Sequence, residues 1–345
     1  MYDPALVLRR CGLSFNPYIV VPCVHGFQQY TFTWLLSRTS NGNIEIRFDP
    51  KGMCPVRITN HSNLPEVFLR FDKKNAHSKG EADFSVTELI DSPRIHRLKK
   101  RYRDEITEDI STRVMSILGT AVHNILEQGA PPECTVEERL FMSVSDNMTL
   151  SGQIDLQTPD GDGIIISDYK TTSAFAIQKN PDGKSEWENQ LNLYRALAEA
   201  NGRIVNGLEV VAIIRDWSAS GLKRSADYPE AAVVRIPIRL WDQGDLESYL
   251  QFRVGAHHQD GLANCTDEER WQRPNQYAVY GRNKDGTQRK RATRVFESIT
   301  DAQEFMLKNG GDIRVRYGES IRCQTYCPVS DRCSQWKEIQ EKDNE

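Results

Sequence analysis

Residues 151–171 read SGQIDLQTPDGDGIIISDYKT. The Pro-Asp-Gly-Asp-Gly cluster at 159–163 marks a turn between two strand-like segments. The first, 149–157, carries Asp155. The second, 163–170, opens on GIIIS, an apolar run without alternation, as expected of a strand buried on both faces. It ends on Asp168, Tyr169 and Lys170. Strand alternation places Asp168 and Lys170 on one face and Tyr169 on the other. Charges directly after a buried run must be paired or bind metal. Two carboxylates and an amine on one small sheet suit a divalent cation and a water held against a phosphodiester. The plainer alternative is a structural Asp–Lys ion pair at a strand end.

The neighbouring segments extend this unit. SILGTAVHNILEQ at 116–128 reads as a helix stopped by Gly129 and two prolines. His123 and Glu127 share one face, Val122, Ile125 and Leu126 supply the buried side, and Gly119 permits close backbone approach. A short strand at 136–140 carries Glu137 and Glu138. SEWENQLNLYRALAEA at 185–200 is a second helix, with Gln190 and Tyr194 one turn apart and Trp187, Leu191 and Leu197 toward the core. Gln190 is either a solvated amide or a group that orients substrate or water. Strands at 208–215 and 231–239 and a helix at 246–257 follow. The adjacent His257 and His258 read as surface residues. Helix, strand, strand, helix, strand is a compact α/β unit.

The 345 residues carry a formal charge of -4, with 39% hydrophobic and 27% charged residues. That composition supports a buried core and no global basic field, so contact with nucleic acid must come from local patches. No apolar run reaches the ~20 residues of a membrane span, and residues 1–10 lack the apolar core of a secretory signal. Residues 1–80 are expected to be a β-rich region, with QQYTFTWLL, NIEIRF and EVFLRF as strands, turns at SNGN and DPKG, and a polar linker at 73–83. Cys11, Cys23 and Cys54 read as small buried hydrophobes, and His61 and His77 as solvated. From Ser85, with Glu88 at capping-box spacing, a helical segment runs into Arg94, Arg97, Lys99, Lys100, Arg101 and Arg103, a solvated face or a phosphate-contacting one. RNKDGTQRKRATR at 282–294 is a basic hairpin around an Asp-Gly turn. It either touches a nucleic-acid backbone or is exposed without a partner. Near the C-terminus, Cys323, Cys327 and Cys333 have the spacing C-x3-C-x5-C. Without a secretory signal these are reduced thiols suited to zinc or an iron–sulfur centre. Cys265 is the first choice of fourth ligand, with Cys134, Cys54 or a non-cysteine ligand as alternatives.

GTAVH at 119–123, SGQIDL around Asp155, SDYKT around Asp168 and Lys170, and Gln190-x-x-x-Tyr194 together resemble the RecB-like branch of the PD-(D/E)XK nuclease superfamily. The cysteine cluster extends the likeness to the iron–sulfur-containing exonucleases of that branch, including CRISPR-associated and phage RecB-like exonucleases. The resemblance implies an α/β fold with a restriction-endonuclease-like core, a mixed central sheet flanked by helices, over residues 81–345, with the cysteine segment at 265–335 and the β-rich region of unknown role at 1–80. It implies a metal-dependent deoxyribonuclease, an exonuclease acting on DNA ends or single strands in the cytoplasm of a bacterial or phage-infected cell. By that likeness His123, Asp155, Asp168 and the Tyr169 carbonyl hold Mg²⁺ or Mn²⁺, Lys170 positions or activates the attacking water, and Gln190 and Tyr194 organise the substrate. Cys265, Cys323, Cys327 and Cys333 would hold a [4Fe-4S] cluster, with zinc as the alternative. Ser92 stands where relatives usually supply the first cysteine. The competing readings are a non-catalytic nucleic-acid-binding module and a metal-stapled structural protein.

Overall fold

The computed structural model describes residues 18–25, 28–38, 44–49, 57–74, 78–145, 148–259 and 261–344. The chain divides into two compact units, Met1–Arg57 with Tyr102–Thr107, and Ile58–Arg101 with Glu108–Glu345. In the first, strands β1 (Tyr18–His25), β2 (Gln28–Arg38) and β3 (Ile44–Asp49) form an antiparallel meander. The aromatic and β-branched runs expected to be strands here are strands. Cys11, Cys54, His77 and the turn residues 40–43 and 50–52 lie outside the described residues, and Cys23 is described only as a position in β1.

The second unit is built on a mixed sheet. Its strands are β4 (Phe84–Ser85), β5 (Thr135–Ser145), β6 (Met148–Asp160), β7 (Gly163–Thr172), β8 (Val205–Ile214) and β9 (Val233–Ile238). The order is β9-β8-β7-β6-β4, with β5 also paired to β6. β6 and β7 are the expected antiparallel pair across the 159–163 turn, and β8 runs parallel to β7. A parallel neighbour requires a crossover, which helices α5 (Ala174–Lys179) and α6 (Ser185–Ala200) of the full helix series supply. Ile166, Ser167 and Asp168 are consecutive buried residues of β7, as the unalternating run requires.

The other helices of five or more residues are α1 (Glu66–Lys74), α2 (Val86–Ile90), α3 (Pro93–Arg101) and α4 (Val114–Gln128) before the crossover, then α7 (Gln243–His258), α8 (Ile299–Asn309) and α9 (Ser334–Asn344) after it, and a single α-helical turn, Ala219–Leu222, lies between β8 and β9. α6 touches β5 through β9 as well as α2 and α7. It is therefore buried nearly all round, with Leu191, Leu193, Leu197 and Ala198 fully covered. Its Asn192 donates to the Arg239 carbonyl and accepts from the Trp241 amide, fixing the chain after β9. Gly152 on β6 permits this contact, because a Cβ there would lie 2.6 Å from Leu197 and 2.8 Å from the Tyr194 ring.

Four local expectations are corrected. EVFLRF is not a strand: it opens α1, where Glu66 and Arg70 pair at i,i+4 spacing and Phe68, Leu69 and Phe71 are the half-buried side. The helical segment from Ser85 is two helices. Ser85 caps α2 with the Glu88 capping box, and the chain restarts at Pro93, whose missing N–H is harmless in a first turn. On α4, Ile125 is 67% exposed, so the buried side is narrower than the apolar pattern suggested, and a Cβ on Gly119 would meet nothing. His258 is exposed as expected, but His257 is buried. Its Nε2 donates to the Leu89 carbonyl at 3.1 Å, and its ring meets Phe84 edge-on.

Burial, with Arg253 and His96 nearby, pushes the His257 imidazole down to about 4 from its ordinary 6.5. The unfolded chain therefore binds a proton that the folded chain refuses as pH falls through that window, so stability declines there. The loss from this group is on the order of 3 kcal/mol. Urea midpoints stepped from pH 7 to pH 4 should fall less steeply for His257→Gln, which retains a donor for Leu89 and does not titrate. Parallel declines for the two proteins would show that His257 is not the sensitive group.

Candidate functional site

The ladder between β6 and β7 ends at the pair Leu156–Ser167. One residue further in register, Asp155 would face Asp168. The strands part there, and the Asp155 carboxylate takes the place of a strand partner by accepting the Tyr169 amide at 2.8 Å. On the other edge of β6, β5 continues alongside, with Val136 opposite Leu156 and Glu138 opposite Ile154. Glu137 thus lies across from Asp155. Its φ of 48° is a left-handed conformation uncommon for a residue of this kind. Asp155 and Asp168 are 7% and 2% exposed.

His123, from α4, completes this side. Its Nε2 contacts the Tyr169 carbonyl at 2.9 Å, and since a carbonyl only accepts, that nitrogen carries the hydrogen. Nδ1 is left facing Asp155 at 3.4 Å and Glu137 at 3.9 Å. One donor atom each from His123, Glu137 and Asp155 lies within 4.8 Å of the others. Gln153 donates to Glu137 at 2.7 Å and accepts from Arg139 at 2.6 Å, which orients the carboxylate. Burial, then the Asp155 charge, raises the Glu137 carboxyl. Burial opposes a charged His123, but the hydrogen bond and charge of Asp155 outweigh it and the imidazole is raised. One imidazole among carboxylates is a donor set for a divalent metal.

Asp168 turns to a second group. Lys170 Nζ lies 2.6 Å from its Oδ2 and donates to Gln190 Oε1 at 3.0 Å. Gln190 Nε2 donates to Asp168 Oδ1 at 3.1 Å and to the Tyr194 hydroxyl at 2.9 Å. Gln190 is 6% exposed, so the solvated-amide reading does not hold. Burial pushes the Asp168 carboxyl up, with Lys170 opposing and Asp155 assisting. Burial would lower the Lys170 amine, but Asp168 holds it above its ordinary value. Burial also raises the Tyr194 phenol, which stays protonated.

The structure thus brings His123, Asp155, Asp168, Tyr169, Lys170, Gln190 and Tyr194 together. Sequence reading noted Glu137 only as a strand residue. The signal available was its place two residues into a strand that precedes the Asp155 strand, which is too weak without the register. Glu127, on the His123 face, is exposed.

A second constellation lies at the cysteines. Cys265, Cys323, Cys327 and Cys333 line one cavity with Arg94, Arg270 and Arg322. Ser92 Oγ lies 3.1 Å from Cys265 Sγ. Arg94 is buried and donates to Cys333 Sγ at 3.2 Å, to the Leu262 carbonyl and to Ser334. Arg97 donates to the carbonyls of Gly261 and His257. These two arginines are structural, which removes them from the phosphate-contacting face considered for α3; Lys99, Lys100 and Arg101 are exposed. Burial raises the thiols of Cys265 and Cys327 and pushes Cys323 up to about 11. Cys134 contacts Thr158.

A sequence profile described as the PD-(D/E)XK nuclease superfamily matches residues 129–334. The chain belongs to the PD-(D/E)XK nuclease superfamily. The matched span takes in Asp155, Asp168, Lys170, Gln190, Tyr194 and the four cysteines of the cavity, and begins shortly after His123. The mixed sheet flanked by helices is the restriction-endonuclease-like core of that superfamily, whose members are nucleases that use divalent metals. No curated protein matches the chain. Among solved structures, "Crystal structure of SSO0001" is similar at 18% identity over 57% of this chain and 88% of that chain, with a TM-score of 0.39. Among the described residues no helix is long and apolar enough to cross a membrane.

Proposed function

We propose that this nuclease is a RecB-like deoxyribonuclease that hydrolyses phosphodiester bonds with Mg²⁺ or Mn²⁺, acting as an exonuclease on DNA ends or single strands. The observation that carries the reading is the fork of β6 and β7, where two buried carboxylates stand side by side with a lysine on one and a histidine on the other. His123 Nδ1, Asp155 and Glu137 would hold the cation, with Asp168 at its edge. When bound, the cation polarises the phosphate and lowers the pKa of a water. Lys170 is the group that would orient that water, since its ammonium, kept charged by Asp168, is the cation nearest Asp168 and its side chain is 24% exposed. Gln190 and Tyr194 are buried behind this pair. They act as positioning residues that fix Asp168 and Lys170, rather than as groups that touch substrate. The Tyr169 carbonyl, expected in the metal shell, here fixes the His123 tautomer.

We further propose that the cavity cysteines hold an iron–sulfur cluster, with Cys265 replacing the ligand that relatives place at Ser92. The two residues are neighbours in space. Four thiolates with no other donor suit an iron–sulfur cluster, with zinc as the alternative. Arg94, which donates to Cys333, supplies positive charge beside the thiolates, while Arg270 and Arg322 also line the cavity and pair with Asp267 and Asp91. The cluster would join the segment around Cys265 to the segment 323–333.

Asp168→Asn, which keeps the size of the side chain, should reduce Mg²⁺-dependent digestion of an end-labelled strand by about a hundredfold or more, with the circular dichroism spectrum retained. Digestion at the parent rate would refute the assignment. Mononucleotides from the outset mark an exonuclease, and a ladder of internal fragments an endonuclease. Protein purified without oxygen should show a broad absorbance near about 400 nm that Cys265→Ser weakens. Stoichiometric zinc without colour would refute the cluster.

A further inference from the structure

Between Cys265 and Cys323 the chain makes an excursion that neither the nuclease site nor the cysteine cavity uses. Its strands are β10 (Gln276–Tyr280), β11 (Arg294–Phe296) and β12 (Asp312–Arg316), paired antiparallel in the order β11-β10-β12. α8 covers one face: the rings of Phe296 and Phe305 meet at 5.3 Å, and Tyr277 shares the Phe296 side by register. The other face carries Ala278 with Arg314 opposite, Gln276 with Arg316 opposite, and Tyr280. The Arg314 guanidinium lies 5.1 Å from the Tyr280 ring, and Arg316 donates to its hydroxyl at 3.0 Å. Neither contact neutralises a charge.

The β10–β11 connection is the basic hairpin expected from sequence. Asn283 and Thr287 close its tip, with Gly286 at φ 83°. From Arg282 to Arg294 there are six Lys or Arg against one Asp, in a chain whose net charge is -4. Among the described residues only Arg282 has a carboxylate partner there, Asp312 at 3.3 Å. Lys284, Arg289, Lys290 and Arg291 are exposed, and no ion pair holds them among the described residues. Exposed rings lie toward the other end of the sheet. Tyr317 follows β12 at 68% exposure, and the tilted rings of Trp271 and Tyr326, at the base of the excursion, meet at 5.3 Å and are 46% and 63% exposed. Arg314 and Arg316 lie along β12 between the hairpin and Tyr317. Unpaired cations at one end of the sheet and accessible rings at the other fit an extended strand whose phosphates and bases are both available, which a duplex does not offer.

We infer that the hairpin and the exposed Arg314 and Arg316 of β12 grip single-stranded DNA outside the nuclease site. The inference rests on the reading of DNA as substrate. It concerns holding the strand, not cutting it, so the two fail separately. The two ends of the excursion meet at the cysteine cavity, which Cys265 and Cys323 both line.

The test compares Asp168→Asn protein with the same protein carrying Arg289→Ala, Lys290→Ala and Arg291→Ala, using fluorescence anisotropy on a labelled 30-mer. The triple variant should bind about tenfold or more weakly at low salt, with a plot of log K against log salt shallower by about 2, as expected for three lost contacts to a single strand. Lys284→Ala alone should give a smaller loss in the same direction. In protein with Asp168 intact, the triple variant should cleave saturating DNA at the parental single-turnover rate. Unchanged affinity and salt slope would overturn the grip while leaving the nuclease reading in place. Binding without any cleavage by the parent chain would overturn the nuclease reading and leave the grip. Tighter binding of a blunt duplex than of the 30-mer would overturn the choice of a single strand.

Discussion

Two carboxylates on adjacent strands, both nearly buried, are the constraint on which this structure turns. Asp155 and Asp168 fall opposite each other where the β6–β7 ladder stops. Like charges at that separation from water do not share a site without compensation. The fold supplies it from several directions. The Tyr169 amide saturates one Asp155 oxygen, His123 faces the other, and Lys170 pairs with Asp168. The strands separate because the side chains, rather than the backbone, make the local hydrogen bonds. The same separation opens the place where a cation and a phosphate can enter.

Everything packed around the fork serves to keep it in shape. The crossover needed to lay β8 parallel to β7 delivers α6, and α6 delivers Gln190 and Tyr194 behind Asp168 and Lys170. Gly152 allows that helix to sit close enough. β5 contributes Glu137 from the far side of β6, in a backbone conformation that most side chains avoid. Strain of this sort persists where the surroundings over-determine it. Here the Gln153 hydrogen bond and the β5–β6 ladder on both sides do so.

Much of the site was legible because its residues sit at fixed offsets within single elements. Asp168 and Lys170 share a strand face by alternation, and Gln190 and Tyr194 share a helix face by the helical repeat. The turn at 159–163 announced the hairpin, and helix 185–200 was read to the residue. What escaped depends on contacts between elements. Glu137 becomes a candidate ligand only through the register of β5 on β6. Arg94 reads as a surface charge until Cys333 and Ser334 are folded onto it. His257 reads as one of a solvated pair until α7 is laid against Phe84 and Leu89. EVFLRF carries apolar residues that fit either period over so short a run, and only the folded chain shows Phe68, Leu69 and Phe71 half-buried on a helix.

The fork is either a cation site or merely a balanced set of ion pairs. Titration calorimetry of the full chain with Mn²⁺ addresses this without reference to turnover. A saturable site weakened by about a hundredfold in Asp155→Asn, and also weakened in Glu137→Gln, is the predicted result. Equal Mn²⁺ affinity in the parent chain and in Asp155→Asn would contradict it.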